Sequence, residues 1–209
     1  MDKALALAPD SLVVLSAAGS LATALGQAED ALRYYQLGLR QDPLHLVLLY
    51  NLATAQWQLG RTEDAEQSFR RLLELNPEDW GSHTQLAIIM LGSGRIEQAR
   101  EELDLEVDPQ QQEYGRILAL YAQGRTAEAD ERLQAFSAAH QSWASALIAT
   151  VHAFRGDADA AFEWLDRAYE IRGSLLTDAL RDPMMRSLHD DPRWDDLLRR
   201  MNLPVDSTL

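Results

Sequence analysis

The sequence predicts an all-α protein, an α-solenoid of stacked helix pairs finished by a C-terminal capping segment. Two interleaved marks carry the prediction. Pro9, Pro43 and Pro77 stand 34 residues apart, and Gly26, Gly60 and Gly94 keep the same interval, the signature of a repeat array. A third observation extends it. The segments GQAEDA (26–31), GRTEDA (60–65), GRIEQA (94–99), GRTAEA (124–129) and GDADAA (156–161) each place an alanine five residues after a glycine. Such a period describes a scaffold, so function is to be sought on its surface.

Each element follows from these marks. A glycine reverses the chain where a side chain would strain the backbone. The alanine is small, so the second helix of a pair can approach the first closely. Proline cannot continue a helix interior and separates one unit from the next. Between the marks run apolar residues at helical spacing, such as Leu32, Tyr35 and Leu39,. Helix pairs are therefore expected at 12–25 and 28–41, 46–59 and 62–75, 80–92 and 95–106, 112–123 and 126–140, and 143–155 and 158–172. Ahead of them, Ala4, Leu5 and Pro9 fit the last turn and closing proline of an earlier unit, making 1–11 the end of a truncated repeat. Behind them lies the segment 174–209. There Trp194, Leu197, Leu198 and Met201 form an apolar stripe suited to covering the last pair, with Arg199 and Arg200 in the favourable last turn,.

The period and its residues resemble the tetratricopeptide repeat, a helix–turn–helix unit of 34 residues. In the unit 12–45 the family's small, turn, aromatic and closing positions hold Gly19, Gly26, Ala31, Tyr35 and Pro43; in 46–79 they hold Ala53, Gly60, Ala65, Phe69 and Pro77. The units 80–111, 112–141 and 142–173 continue the array, with Pro109 arriving two residues early. The segments 162–170 and 182–194, FEWLDRAYE and DPMMRSLHDDPRW, resemble the terminus of a bacterial subgroup in which the array often follows a signalling or regulatory module. The resemblance implies a right-handed superhelix that binds protein partners.

Composition narrows the classes. Asp and Glu number 33 against 19 Lys and Arg, a formal net charge of −14. A surface of this sign repels phosphate backbones and anionic lipid, so neither nucleic acid nor membrane is an expected partner. No run approaches the roughly 18 apolar residues of a membrane span. There is no cysteine, which removes thiolate metal sites and cysteine nucleophiles and fits a cytoplasmic protein.

No catalytic residue, metal or cofactor is assigned. Gly92-Ser93-Gly94-Arg95 lacks the Gly-Lys-Ser/Thr of a phosphate loop,. Neither a G-x-S-x-G elbow nor an H-E-x-x-H pair occurs, and His45, His83, His140, His152 and His189 include no i, i+4 pair,. Acidic pairs such as Glu101-Glu102 read as solvated helix faces.

What remains is the concave groove lined by the first helix of each unit. The family's ligand-facing positions, carried onto this chain, fall on Tyr50, Asn51, Thr54 and Trp57 in the second unit, on Thr84, Gln85 and Ile88 in the third, on Tyr114 and Tyr121 in the fourth, and on Trp143 in the fifth. This lining is almost uncharged, with amides and hydroxyls between aromatics, and suits an extended peptide or an amphipathic helix. The family's chaperone-tail receptors clamp a terminal carboxylate with lysine, arginine and asparagine. Here the matching places hold Ser16, Ser20, Asn51, Gly81 and Gln85, which argues against an acidic chaperone tail. The expected function is a non-catalytic protein-binding module. Two other roles stay open: a homodimer through the N-terminal edge, and sensing of a small ligand on behalf of an upstream effector domain.

Overall fold

A computed structural model describes residues 2–205; Met1 and residues 206–209 of the two expected terminal segments lie outside it. A short helix α1 (Asp2–Leu7) leads into five antiparallel helix pairs. These are α2 (Leu12–Ala24) with α3 (Ala28–Gln41), α4 (Leu46–Gln58) with α5 (Thr62–Leu75), α6 (Ser82–Gly92) with α7 (Ile96–Leu105), α8 (Pro109–Ala122) with α9 (Thr126–His140), and α10 (Ser145–Phe154) with α11 (Ala158–Glu170). Then come α12 (Leu176–Ala179), a 3₁₀ helix (Pro183–Leu188) and α13 (Pro192–Arg200). Among the described residues there is no strand, and no helix is long and apolar enough to cross a membrane.

The five turns are built alike. Gly26, Gly60, Gly94, Gly124 and Gly156 all hold positive φ, between 72° and 82°. The residue after each donates its N–H five residues back, as in Gln27 to the Ala22 carbonyl at 2.8 Å and Arg61 to Gln56 at 2.9 Å. This closes the first helix of each pair in a Schellman-type stop. Five residues past the glycine, Ala31, Ala65, Ala99, Ala129 and Ala161 are each 0% exposed, so a larger side chain would force the paired helices apart.

Three helix starts depart from expectation by two residues or more; α10 begins at Ser145 instead of 143, and the other two shift for reasons of capping. Gly81, at φ 76°, precedes α6 and delays its start to Ser82. In the fourth pair Pro109 opens α8 instead of closing the previous unit. Asp108 is the N-cap, accepting from the Gln110 and Gln111 N–H groups, and Pro109 takes the first helical position, where its missing N–H costs nothing. That is why the proline interval and the glycine interval part company there.

The C-terminal segment divides in two. Trp194, Leu197 and Leu198 of α13 are buried in one cluster with Phe162 and Leu165 of α11. Arg193 lies 4.3 Å over the Phe162 ring and pairs with Asp159 at 2.9 Å, so α13 covers the last pair. The preceding residues, 175–189, take a different course. They lie against α10 and cross the face of the first helices to the opposite end of the array. There Arg181 donates to the Ala24 carbonyl at 3.2 Å and Arg186 to the Gln58 carbonyl at 3.4 Å. This segment is a strap joining the fifth pair to the first two.

Candidate functional site

The first helices present their side chains toward a cavity of about 310 Å³ on the concave side. Of the residues expected there, Tyr50, Asn51, Thr54, Trp57, Gln85 and Tyr114 line it, joined by Ser20 and Thr23 of α2 and Leu147 and Thr150 of α10. The strap supplies the remaining wall through Leu175, Asp178, Ala179 and Asp182. The groove is thus partly filled by the chain itself.

Several lining groups are held in place. Thr54 and Thr23 donate to carbonyls one turn back, Tyr50 at 3.0 Å and Gly19 at 3.1 Å, so their methyl and oxygen faces are fixed. The Tyr50 ring meets Phe69 edge-on at 5.6 Å. Burial and the nearby Asp178 charge push the Tyr50 hydroxyl well above its usual pKa, and burial with Asp182 does the same to Tyr114. Both phenols therefore stay neutral hydrogen-bonding groups at any ordinary pH. Asp182 accepts from the Met184 N–H at 2.9 Å. Burial pushes its carboxyl up to about 6 despite this bond, the neighbouring Trp57 indole and Arg186. The Trp57 indole N–H, itself buried, closes no hydrogen bond of standard geometry. Asn51 and Gln85 offer amides along the same wall.

Four expected residues lie elsewhere. Thr84 is 0% exposed; its N–H and hydroxyl donate to the Glu106 carboxylate at 3.1 and 3.2 Å, so it is tied to the capping of a helix start. Ile88 is 0% exposed and belongs to the core between pairs. The Tyr121 hydroxyl donates to Asp130 at 2.5 Å and accepts from Arg155 at 3.0 Å, which draws the ring into an ion-pair network. Trp143 precedes α10 and packs on Phe136 and His140, ring centroids 6.5 and 5.7 Å away. Sequence reasoning missed Trp80, Gln111 and the strap residues. The Asp108-Pro109 cap was a readable signal for Gln111, since it starts α8 early enough to turn that side chain inward.

Comparison with known proteins agrees with this architecture. The family model described as tetratricopeptide repeat matches residues 22–79 and 57–123. Over 80 residues the chain is 35% identical to the tetratricopeptide repeat and J domain-containing co-chaperone DNJ1 of Fusarium oxysporum f. sp. lycopersici. That match takes in 38% of this chain and 15% of the co-chaperone, so the chain spans a small part of that relative's length. Among solved structures, TTC0263, a thermophilic TPR protein of Thermus thermophilus, superposes with a TM-score of 0.61 at 21% identity, covering 85% of this chain and 99% of that one. YrrB, described as a TPR protein with an unusual peptide-binding site, gives 0.52 at 17% identity, covering 84% and 94%. At such identities the structures speak for the fold alone. Residues 22–123 therefore match tetratricopeptide repeats, within an α-solenoid of five helix pairs.

Proposed function

We propose that this protein is a non-catalytic interaction module that binds a polypeptide segment of a partner protein in its concave groove, in a cytoplasmic setting. The observation that carries the reading is the strap. Residues of the chain's own backbone already lie in the groove, against the amides, hydroxyls and aromatics that a peptide would meet. A groove that accepts a polypeptide in cis has the spacing and chemistry to accept one in trans. The peptide-binding site described for YrrB and the co-chaperone role of DNJ1 support the same class of function. Uncharged amides and neutral phenols recognise backbone and apolar side chains, and the lining includes no constellation for bond chemistry.

The test is an affinity capture from lysate of the source organism, comparing the native chain with a Tyr50→Ala, Asn51→Ala, Gln85→Ala triple variant. A partner retained by the native chain and lost by the variant places binding in the groove. Equal capture by both removes the groove from the account.

A second reading rests on exposed apolar side chains near the N-terminal edge. Leu7 and Val13 are 76% and 80% exposed, and Leu44 and Val47 are 62% and 57%. A second copy meeting this edge would cover them. Light scattering over a concentration series decides: a mass that stays that of one chain ends this reading.

A further inference from the structure

Beyond the groove, on the other side of the strap, lies a second cavity of about 380 Å³. Its walls are the turn and first residues of α3, the end of α4, and strap residues including Arg181, Arg186 and His189. Arg181 is 5% exposed. One of its terminal nitrogens donates to the Ala24 carbonyl, while Nε and the other terminal nitrogen are buried with no hydrogen-bond partner. No carboxylate among the described residues lies within ion-pair distance of Arg181 or Arg186. His189 stacks on Trp194 at 4.5 Å, and its Nε2 is likewise buried and unpartnered. A chain with 33 acidic residues has thus buried a guanidinium at this cavity without an ion pair, although the Asp182 carboxyl, its pKa raised by burial to about 6, stands in the same wall. Burying a charge in this way is costly unless something pairs with it.

We infer that this cavity is a carboxylate-binding site, taking a free organic acid or the C-terminal carboxylate of a polypeptide. Three strap residues, the buried Arg181, the exposed Arg186 and the half-buried His189, line it. The α3 start adds to them, since Gln27 gives no side-chain cap and leaves first-turn N–H groups open, where an anion is favoured. Burial holds the His189 pKa below its usual value, and the Arg186 and Arg181 charges push it the same way, so the two cations act on the same space. Of the three acidic wall residues, Glu29 and Asp30 are already paired, with Arg61 at 2.6 Å and Arg33 at 3.0 Å, and Asp182 accepts from the Met184 N–H at 2.9 Å. Their presence disfavours a phosphate dianion more than a carboxylate. Leu59, Leu180 and Pro183 give the ligand's hydrocarbon part an apolar wall,. The site does not depend on the groove reading, because Tyr50, Asn51 and Gln85 take no part in it.

The test is a titration of the full ¹⁵N-labelled chain at constant ionic strength, followed by NMR. The probes are glutarate, a short N-acetylated peptide with a free C-terminal carboxylate, the same peptide as its amide, and inorganic phosphate. Saturable shifts at Gly26, Gly60 and His189 are expected with glutarate, with the acid peptide or with both, and the one that acts identifies the source. Arg181→Met should weaken binding by roughly tenfold or more, as should Arg186→Gln. Should Arg181→Met lose its fold by circular dichroism, Arg186→Gln and His189→Gln decide. The Tyr50, Asn51, Gln85 triple variant should bind as the native chain does. The inference is overturned if neither carboxylate gives saturable shifts there, if amide or phosphate binds as well as the carboxylates, or if Arg186→Gln and His189→Gln leave the Kd unchanged.

Discussion

Replacing Glu106 by alanine should destabilise the array more than any surface change, because one carboxylate serves four donors. Glu106 is 5% exposed. One oxygen accepts from the Gly81 N–H at 3.2 Å and the Asp108 N–H at 3.1 Å; the other accepts from the Thr84 N–H and hydroxyl at 3.1 and 3.2 Å. Gly81, with no side chain of its own to cap α6, leaves that task to a residue from the end of α7. In the alanine variant the Asp108 N–H can turn to water, and the Thr84 hydroxyl to a carbonyl of its own helix. The Gly81 and Thr84 N–H groups are buried and have no such recourse, at about 1–3 kcal/mol each. The lost interaction of a negative charge with the helix start adds about 1 kcal/mol. The sum is roughly 3–7 kcal/mol, a large share of the stability of an ordinary domain, and a fall in Tm of roughly 10–20 °C for a chain of this size. Urea unfolding followed by circular dichroism measures it. Glu106→Gln, which keeps one acceptor and turns an NH₂ toward donors, should fall between. An alanine variant within about 1 kcal/mol of the native chain at unchanged m would refute the reasoning.

Three further outcomes follow from the same geometry. Gly26→Ala and Gly94→Ala both force a side chain into positive φ, at roughly 1–2 kcal/mol. A Cβ on Gly26 would stand 2.5 Å from an Arg181 terminal nitrogen, whereas one on Gly94 meets nothing within 4 Å. The Gly26 variant should therefore lose about 1–2 kcal/mol more, and equal losses in urea would mean that Arg181 does not hold the strap. For Asp182, burial raises the carboxyl from 3.8 to about 6, so between these values the native state binds a proton that the unfolded chain has released. That contribution to stability is present at low pH and is lost as pH rises to about 6. Asp182→Asn, which keeps an acceptor for the Met184 N–H, should gain on the native chain through that window and level off above it; parallel pH profiles would contradict this. Ala65→Leu, at a 0% exposed helix crossing, should cost about 1–3 kcal/mol or more through overpacking, and a neutral result in thermal unfolding would show that the paired helices can separate freely.

Much of the fold was legible because its requirements are local and repeated. A positive-φ turn selects glycine, a close crossing selects alanine, and each demand recurs at every pair, so the helices α2 to α5 begin and end close to where the period puts them. Where a second local signal competed, the period misled: the Asp108-Pro109 cap opened α8 earlier than the glycine frame allowed. The groove was legible by halves. Tyr50, Asn51, Thr54 and Trp57 share one face of α4 and line the cavity together. Thr84 was drawn away by Glu106, 22 residues on, and Tyr121 by Asp130 and Arg155. Such partners leave no mark in the residue's own neighbourhood.

The sequence by itself determined the helix pairs, their turns and their crossings, because those depend on backbone conformation and side-chain size within one 34-residue period. Tertiary structure alone decided the strap. Arg181 meets Ala24 across 157 residues and Arg186 meets Gln58 across 128, contacts that exist only once the superhelix has curved far enough to bring its two ends within reach of one segment. The curvature is the sum of small rotations at every pair interface. Neither the part-filled groove nor the unpaired Arg181 beside it could therefore be read from any single stretch of the chain.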